Sequence, residues 1–225
     1  MFHVEHQFAD TSRQLRRVLL NRNALLKQKA TSQQLEPWDQ QLVQLSQQMQ
    51  AMRQPYFEKL LPQLLEVFAL LEPALADHLR AELYPGWAID KDLRKLLAER
   101  LERDLFEKRT TRGAHAADIR FTHEGTPVRE RFSRGQLKAL LIAFKCAQAK
   151  LYNVESGLQS VLLLDDLAAE LDPDKLKKVV GMLDGLGCQT LQTYTTEVSP
   201  QALGIRPEEC RMFHVEHGKI SQLPP

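Results

Sequence analysis

Three short stretches in the second half of the chain carry residue types suited to phosphate chemistry. Ser133-Arg134-Gly135-Gln136 opens a helical stretch. A serine at the N-cap, with a glycine in the first turn behind it, leaves bare backbone N–H groups directed at an anion. Val161-Leu162-Leu163-Leu164-Asp165-Asp166 is an unbroken apolar run ending in two carboxylates. Such a run reads as a strand buried on both faces, and the carboxyl end of a strand is where open α/β sheets place ligands. Asp165 is positioned to hold the water shell of Mg²⁺, which takes oxygen ligands. Asp166, next along, is positioned to polarise an attacking water as general base. Glu170-Leu171-Asp172 follows in the loop leading to the next helix. Each piece alone also reads more plainly, as a serine-capped helix or as a core strand ending in two capping aspartates. Their order and spacing make the nucleotide reading specific.

These pieces need an α/β scaffold, and the pattern around them supplies one. A helix over 135–150, a strand over 160–165, a helix over 173–185 and a strand over 189–195 alternate, with a last short strand around 211–216. Alternating strands and helices imply a parallel or mixed sheet covered by helices. Ahead of them, residues 118–132 alternate on both sides of Glu124-Gly125, the mark of a hairpin. The first part of the chain reads as helical. Leu15, Val18, Leu19, Leu25 and Leu26 fall near a helical period, and Leu42, Leu45, Met49 and Met52 continue it after a break at 36–39. A third run over 57–83 contains Pro62 and Pro73, which are expected to kink or divide it, and one charged helix covers 91–108. The expected fold is α/β: an all-helical lobe over 1–108, then half of an α/β domain over 109–225.

Composition narrows the function classes. The 225 residues are 43% hydrophobic, enough to bury a core, and the formal net charge of +1 gives no bulk argument for or against nucleic acid. Cys146, Cys188 and Cys210 are odd in number, widely spaced and form no CxxC pair, which suits a reduced cytosolic protein. The longest apolar stretch, 139–144, is too short for a bilayer, and the start lacks the basic and apolar regions of a signal peptide. The protein reads as cytoplasmic, with no membrane partner. No acidic residue lies between Asp10 and Glu36, whereas basic residues crowd there. Arg13, Arg16, Arg17 and Lys27 fall largely opposite the apolar stripe, where they meet nucleic-acid phosphates or simply solvent. The string MFHVEH occurs at 1–6 and again at 212–217. Its paired histidines lack a third ligand for a metal.

Ser133 to Gln136 resembles the signature of ATP-binding-cassette ATPases, the apolar run with Asp165 and Asp166 looks like a Walker B strand, and 167–173 looks like the D-loop that follows it. The glycine loop GxxxxGK[ST] that cradles phosphates is missing: none of the ten glycines starts one. The fuller resemblance is to bacterial RecF, a recombination and gap-repair ATPase related to the heads of SMC and Rad50 proteins. It rests on "FHVE" (2–5), "NALL" (23–26), "LEPWDQQL" (35–42), Arg103-Asp104, Thr110, Gly113, His115, Asp118, "SRGQLK" (133–138), "LLLDDLAAELD" (162–172) and "VEHGKI" (215–220). RecF typically ends Walker B in Asp-Asp, where cassette transporters and SMC heads usually have Asp-Glu. The chain departs from the family at Ala116, where an arginine is usual, and at Ala169, where a serine is frequent.

The resemblance implies an ATP- and Mg²⁺-dependent homodimer that binds DNA at gaps or stalled forks and helps load recombinase, with RecR and RecO as partners. Ser133, Arg134, Gly135 and Gln136 would cap ATP in trans, with Asp165 at the metal, Asp166 catalytic and Glu170, Leu171 and Asp172 in the D-loop. In the family a segment bearing the phosphate loop precedes "FHVE". The expectation is a chain without that segment, unable to bind ATP in cis, whose sheet face is left uncovered. A non-catalytic interaction module, or an SMC-like subunit using a partner's phosphate loop, stays open.

Overall fold

The first two helices are set by local capping. A computed structural model of the chain describes residues 6–166, 171–195 and 199–223. Helix α1 (His6–Lys27) buries Thr11, Leu15, Val18, Arg22 and Leu26 along one stripe. It ends where Lys29 adopts a left-handed φ of 55° and the Ala30 N–H donates to the Leu25 carbonyl at 3.1 Å. Helix α2 (Ser32–Leu71) begins from a reciprocal cap. The Thr31 N–H donates to Gln34 Oε1 at 2.9 Å and the Gln34 N–H donates to Thr31 Oγ1 at 3.4 Å. The break expected at 36–39 therefore lies instead at 28–31. Pro37, Pro55 and Pro62 all sit inside α2. Each removes an intrahelical hydrogen bond, and burial of Leu35, Leu42, Met49, Leu60 and Leu64 on the same helix outweighs that loss. Pro73 does divide the run: α2 stops, and the short α3 (Pro73–Ala76) follows.

Residues 79–83, expected to end a helix, form a strand instead. Strand β1 (Leu79–Tyr84) pairs antiparallel with β2 (Asp118–His123), from Leu79 opposite His123 to Tyr84 opposite Asp118. Cross-strand partners override the helical propensity of this leucine- and glutamate-bearing segment: Glu82 lies opposite Arg120, whose guanidinium sits 3.5 Å from the centre of the Tyr84 ring. The hairpin turn is where the sequence places it, with Glu124 at φ 49° and Gly125 at φ 78°. Its second arm is shorter than expected. Strand β3 is only Thr126–Pro127, because Val128 and Phe132, both buried, are spaced for the helical turn α6 (Val128–Arg131). The single helix expected over 91–108 is two, α4 (Leu93–Glu99) and α5 (Leu101–Glu107), joined at Arg100.

The chain packs as two units, Met1–Pro62 with Leu79–Pro127, and Gln63–His78 with Val128–Pro225. A division at 108 does not follow this packing, since β2 belongs with its partner β1. In the second unit α7 (Arg134–Ser156) buries Ala139, Leu140, Ala143 and Ala147, and Phe68 stacks on Phe132 with ring centres 6.1 Å apart. Strands β4 (Val161–Leu164) and β5 (Gln189–Gln192) pair in parallel, Leu164 opposite Gln192, with α8 (Pro173–Asp184) between them in sequence. The end of the chain is a separate exposed hairpin, β6 (Phe213–Glu216) with β7 (Lys219–Gln222). It contains most of the second MFHVEH copy; all but the last residue of the first copy lies outside the described residues. No three His, Cys, Asp or Glu converge as a metal site among the described residues.

The first unit is tied together by one buried arginine. Arg22 is fully buried on the apolar side of α1. Its Nε donates to Asp39 Oδ1 at 2.6 Å, and its Nη1 donates to Asp104 Oδ2 at 2.7 Å and to Thr110 Oγ1 at 2.9 Å. Asp104, equally buried, also accepts from the N–H and hydroxyl of Thr111. Asn23 Oδ1 accepts from both the N–H and the hydroxyl of Thr110 at 2.8 Å. Burial pushes the Asp39 carboxyl above its usual range although the Arg22 hydrogen bond pulls it down. Beside this network the backbones of Gly86 and Gly113 meet, at φ 106° and 134°; a Cβ on Gly86 would lie 2.0 Å from the Gly113 carbonyl oxygen. Arg22→Ala strands a buried carboxylate and should lower unfolding stability in urea by about 3–5 kcal/mol. A loss under about 1 kcal/mol would show that Arg22 does not hold the unit.

Candidate nucleotide site

Ser133 caps α7 through a reciprocal pair of hydrogen bonds. Its Oγ accepts from the Gln136 N–H at 3.3 Å, and its own N–H donates to Gln136 Oε1 at 2.8 Å. The Gln136 side chain is thus committed to the cap. Arg134 is exposed, and Gly135 sits half-buried in the first turn. One turn further on, Lys138 Nζ donates to the backbone carbonyl of Asp166 at 3.2 Å. This bond fastens the start of the signature helix to the end of the apolar strand.

Asp165 and Asp166 lie in the turn just past the carboxyl end of β4. The parallel register that sets Leu164 opposite Gln192 brings Thr193 beside them. Thr193 Oγ1 donates to Asp165 Oδ1 at 2.6 Å and accepts from the Asp166 N–H at 2.8 Å. Thr195 Oγ1 lies 3.4 Å from Asp166 Oδ1. Asp166 takes a left-handed φ of 47°. Carboxylate and hydroxyl oxygens make up this donor set, which fits a hard cation that keeps part of its water shell and shares the rest with phosphates.

The D-loop residues divide. Glu170, like Ala169, lies outside the described residues. Leu171 is buried, and Asp172 is the N-cap of α8, accepting from the Lys175 N–H at 2.9 Å. Lys175 in turn pairs with Glu72 at 2.6 Å. On α1, Arg13 is paired with Asp10, and Arg16, Arg17 and Lys27 are exposed. Arg22, from the same basic run, is the buried anchor described above. Thr193 and Lys138 escaped the sequence reading. Aligning the two strands in parallel puts the residue after β5 beside the residue after β4, and that signal points to Thr193. Burial pushes the Cys146 thiol up to about 12 and also raises Cys188.

The signature helix and the carboxylate-ended strand, with the helical segments before them, define the carboxyl-terminal half of an ABC-type ATPase head preceded by a helical lobe. A solved structure of the recombination mediator protein RecF-ATP in the RecFOR pathway has this fold, with a TM-score of 0.75, 21% identity, and coverage of 98% of this chain and 60% of that one. The particular relatives the chain resembles are RecF proteins. It is 37% identical over 221 residues to the DNA replication and repair protein RecF of Edwardsiella ictaluri, and 36% identical over 223 residues to that of Proteus mirabilis. It is also 37% identical over 230 residues to the RecF of Cellvibrio japonicus. The chain spans about 60% of the length of these curated relatives. No family model matches it. No helix among the described residues is long and apolar enough to cross a membrane.

Replacing the shared acceptor at Thr193 tests the local geometry. Thr193→Val leaves the Asp166 N–H without its partner, a loss of about 0.5–1.5 kcal/mol. Exchange of that amide should accelerate about two- to tenfold by NMR, with little change elsewhere. Unchanged exchange at Asp166 would mean the hydroxyl does not hold the turn.

Proposed function

We propose that this chain supplies the signature and Walker B parts of a RecF-like ATPase acting in DNA repair and recombination. The observation carrying this reading is the bond from Lys138 to the Asp166 carbonyl, which fixes the capped helix and the two carboxylates in one unit. In this reading the Ser133 hydroxyl and the Gly135 N–H cap the γ-phosphate of ATP held on another subunit's phosphate loop. Asp165, oriented by Thr193, holds the water shell of Mg²⁺, and Asp166 polarises the attacking water. The phosphate loop comes from a segment that this sequence does not contain. The exposed apolar side of the short sheet, with Leu163 at 75% and Leu191 at 52% exposure, is the face such a segment would cover.

The whole assembly is then an ATP-dependent homodimer that engages DNA at gaps or stalled forks and works with RecO and RecR to load recombinase. Arg16, Arg17 and Lys27, with Arg13, give α1 a basic face for backbone phosphates.

The test uses the chain joined to a phosphate-loop segment. Ser133→Arg should leave ATP binding intact and abolish ATP-dependent dimerisation, read by sedimentation. Asp165→Asn should weaken Mg²⁺-dependent nucleotide binding, whereas Asp166→Asn should keep binding and slow hydrolysis. Normal dimerisation by the first variant, or equal defects in the other two, would sink the assignment. The 225-residue chain alone should turn over no ATP, because phosphoryl transfer depends on positioning the phosphates; robust hydrolysis by it would do the same.

A further inference from the structure

Between α5 and the loop that follows it lies a cavity of about 290 Å³, in the first unit. Arg100, Arg103, Arg109 and Arg112 line it together with Glu107 and His115. Four arginines therefore share the lining with a single carboxylate, and that carboxylate is already shared. Arg103 Nε donates to Glu107 Oε1 at 2.7 Å, and Arg109 reaches Oε2 through Nε at 3.0 Å and Nη2 at 2.9 Å. Among the described residues Arg100 and Arg112 have neither an ion pair nor a hydrogen-bond partner for their side chains. Both residues are half-buried.

The wall behind these arginines is stiff. The Thr110 hydroxyl is held by Arg22 and Asn23, Thr111 is held by Asp104, and His115 Nε2 lies 3.0 Å from the Thr110 carbonyl oxygen. Like charges gathered along one wall repel one another unless an anion is present. A site arranged this way in advance loses little freedom when the anion arrives. Planar guanidinium forks match the oxygens of a phosphate, and Glu107, clasped from both sides, already occupies part of the cavity as an internal anion.

We propose that this cavity is a binding site for a phosphate oxyanion, gripped by Arg100 and Arg112 with Arg103 and Arg109 released in part from Glu107. The site stands apart from the ATPase reading, since neither Ser133 nor the Asp165–Asp166 pair takes part in it. Two sources share the chemistry: a phosphodiester of a nucleic-acid backbone and a free polyphosphate.

Titration of the 225-residue chain with pyrophosphate at low salt, followed by calorimetry, tests the site. Saturable one-site binding is expected. Arg100→Ala with Arg112→Ala should weaken it at least tenfold. Glu107→Gln should tighten it severalfold, because it removes the competing carboxylate charge; a merely structural glutamate would give no gain. A duplex DNA arm separates the sources. If the double arginine variant lowers the slope of log affinity against log salt by about two, the site takes backbone phosphates. If DNA binding is unchanged while pyrophosphate binding falls, it takes a free polyphosphate. Absence of saturable pyrophosphate binding, or binding indifferent to both variants, overturns the proposal.

Discussion

A fully buried guanidinium constrains everything around it. Arg22 cannot shed its charge, so the first unit is built to surround it with two carboxylates and a threonine hydroxyl drawn from distant parts of the chain. The contact with Asp104 joins residues 82 positions apart in sequence, and the contact with Thr110 joins residues 88 apart. Because Asp104 also pins Thr111, one charge fixes the end of α5 and the whole loop after it. That loop carries Gly113, whose carbonyl approaches Gly86 so closely that no side chain fits on the Gly86 backbone. Removing one partner from this network would leave a buried charge uncompensated.

In the second unit the constraint is of another kind. The hydrogen bonds at the candidate nucleotide site mostly use backbone groups: the Ser133 and Gln136 N–H groups, the Asp166 carbonyl and the Asp166 N–H. The side chains of Ser133, Gln136 and Lys138 are held by backbone groups, and so their positions follow the ends of α7 and β4. Thr193 serves both aspartates at once. It orients one carboxylate and shapes the turn that carries the other.

Much of this was legible in the sequence, for identifiable reasons. The serine cap and the apolar strand are local patterns, and both elements stand where the spacing predicts. The helix break at 28–31 was also present, as the Thr31–Gln34 pair, but the prolines after it drew the boundary to the wrong place. Strand β1 was not readable, because its partner β2 lies far along the chain and only pairing makes 79–84 extended. The role of Arg22 was not readable for a similar reason. A basic residue among basic residues looks solvated until the two aspartates that face it are brought in by the fold. The basic cavity went unnoticed because Arg100 and Arg112 sit in different elements, and only the bend at Arg100 and the loop after Lys108 bring them to one wall.

The left-handed turn at Asp166 has a consequence for how this position can drift over time. At φ 47° glycine, asparagine and aspartate are comfortable, whereas other L-residues pay about 1–2 kcal/mol for the closeness of Cβ to the backbone. Glutamate, a codon neighbour with the same charge, is thus a poorer resident than aspartate, although it keeps the acid. The backbone thus favours the shorter carboxylate, a conformational preference beside any chemical one. A lineage that exchanged it for Asp-Glu would first have to relax the turn that Thr193 holds, so the two positions should change together.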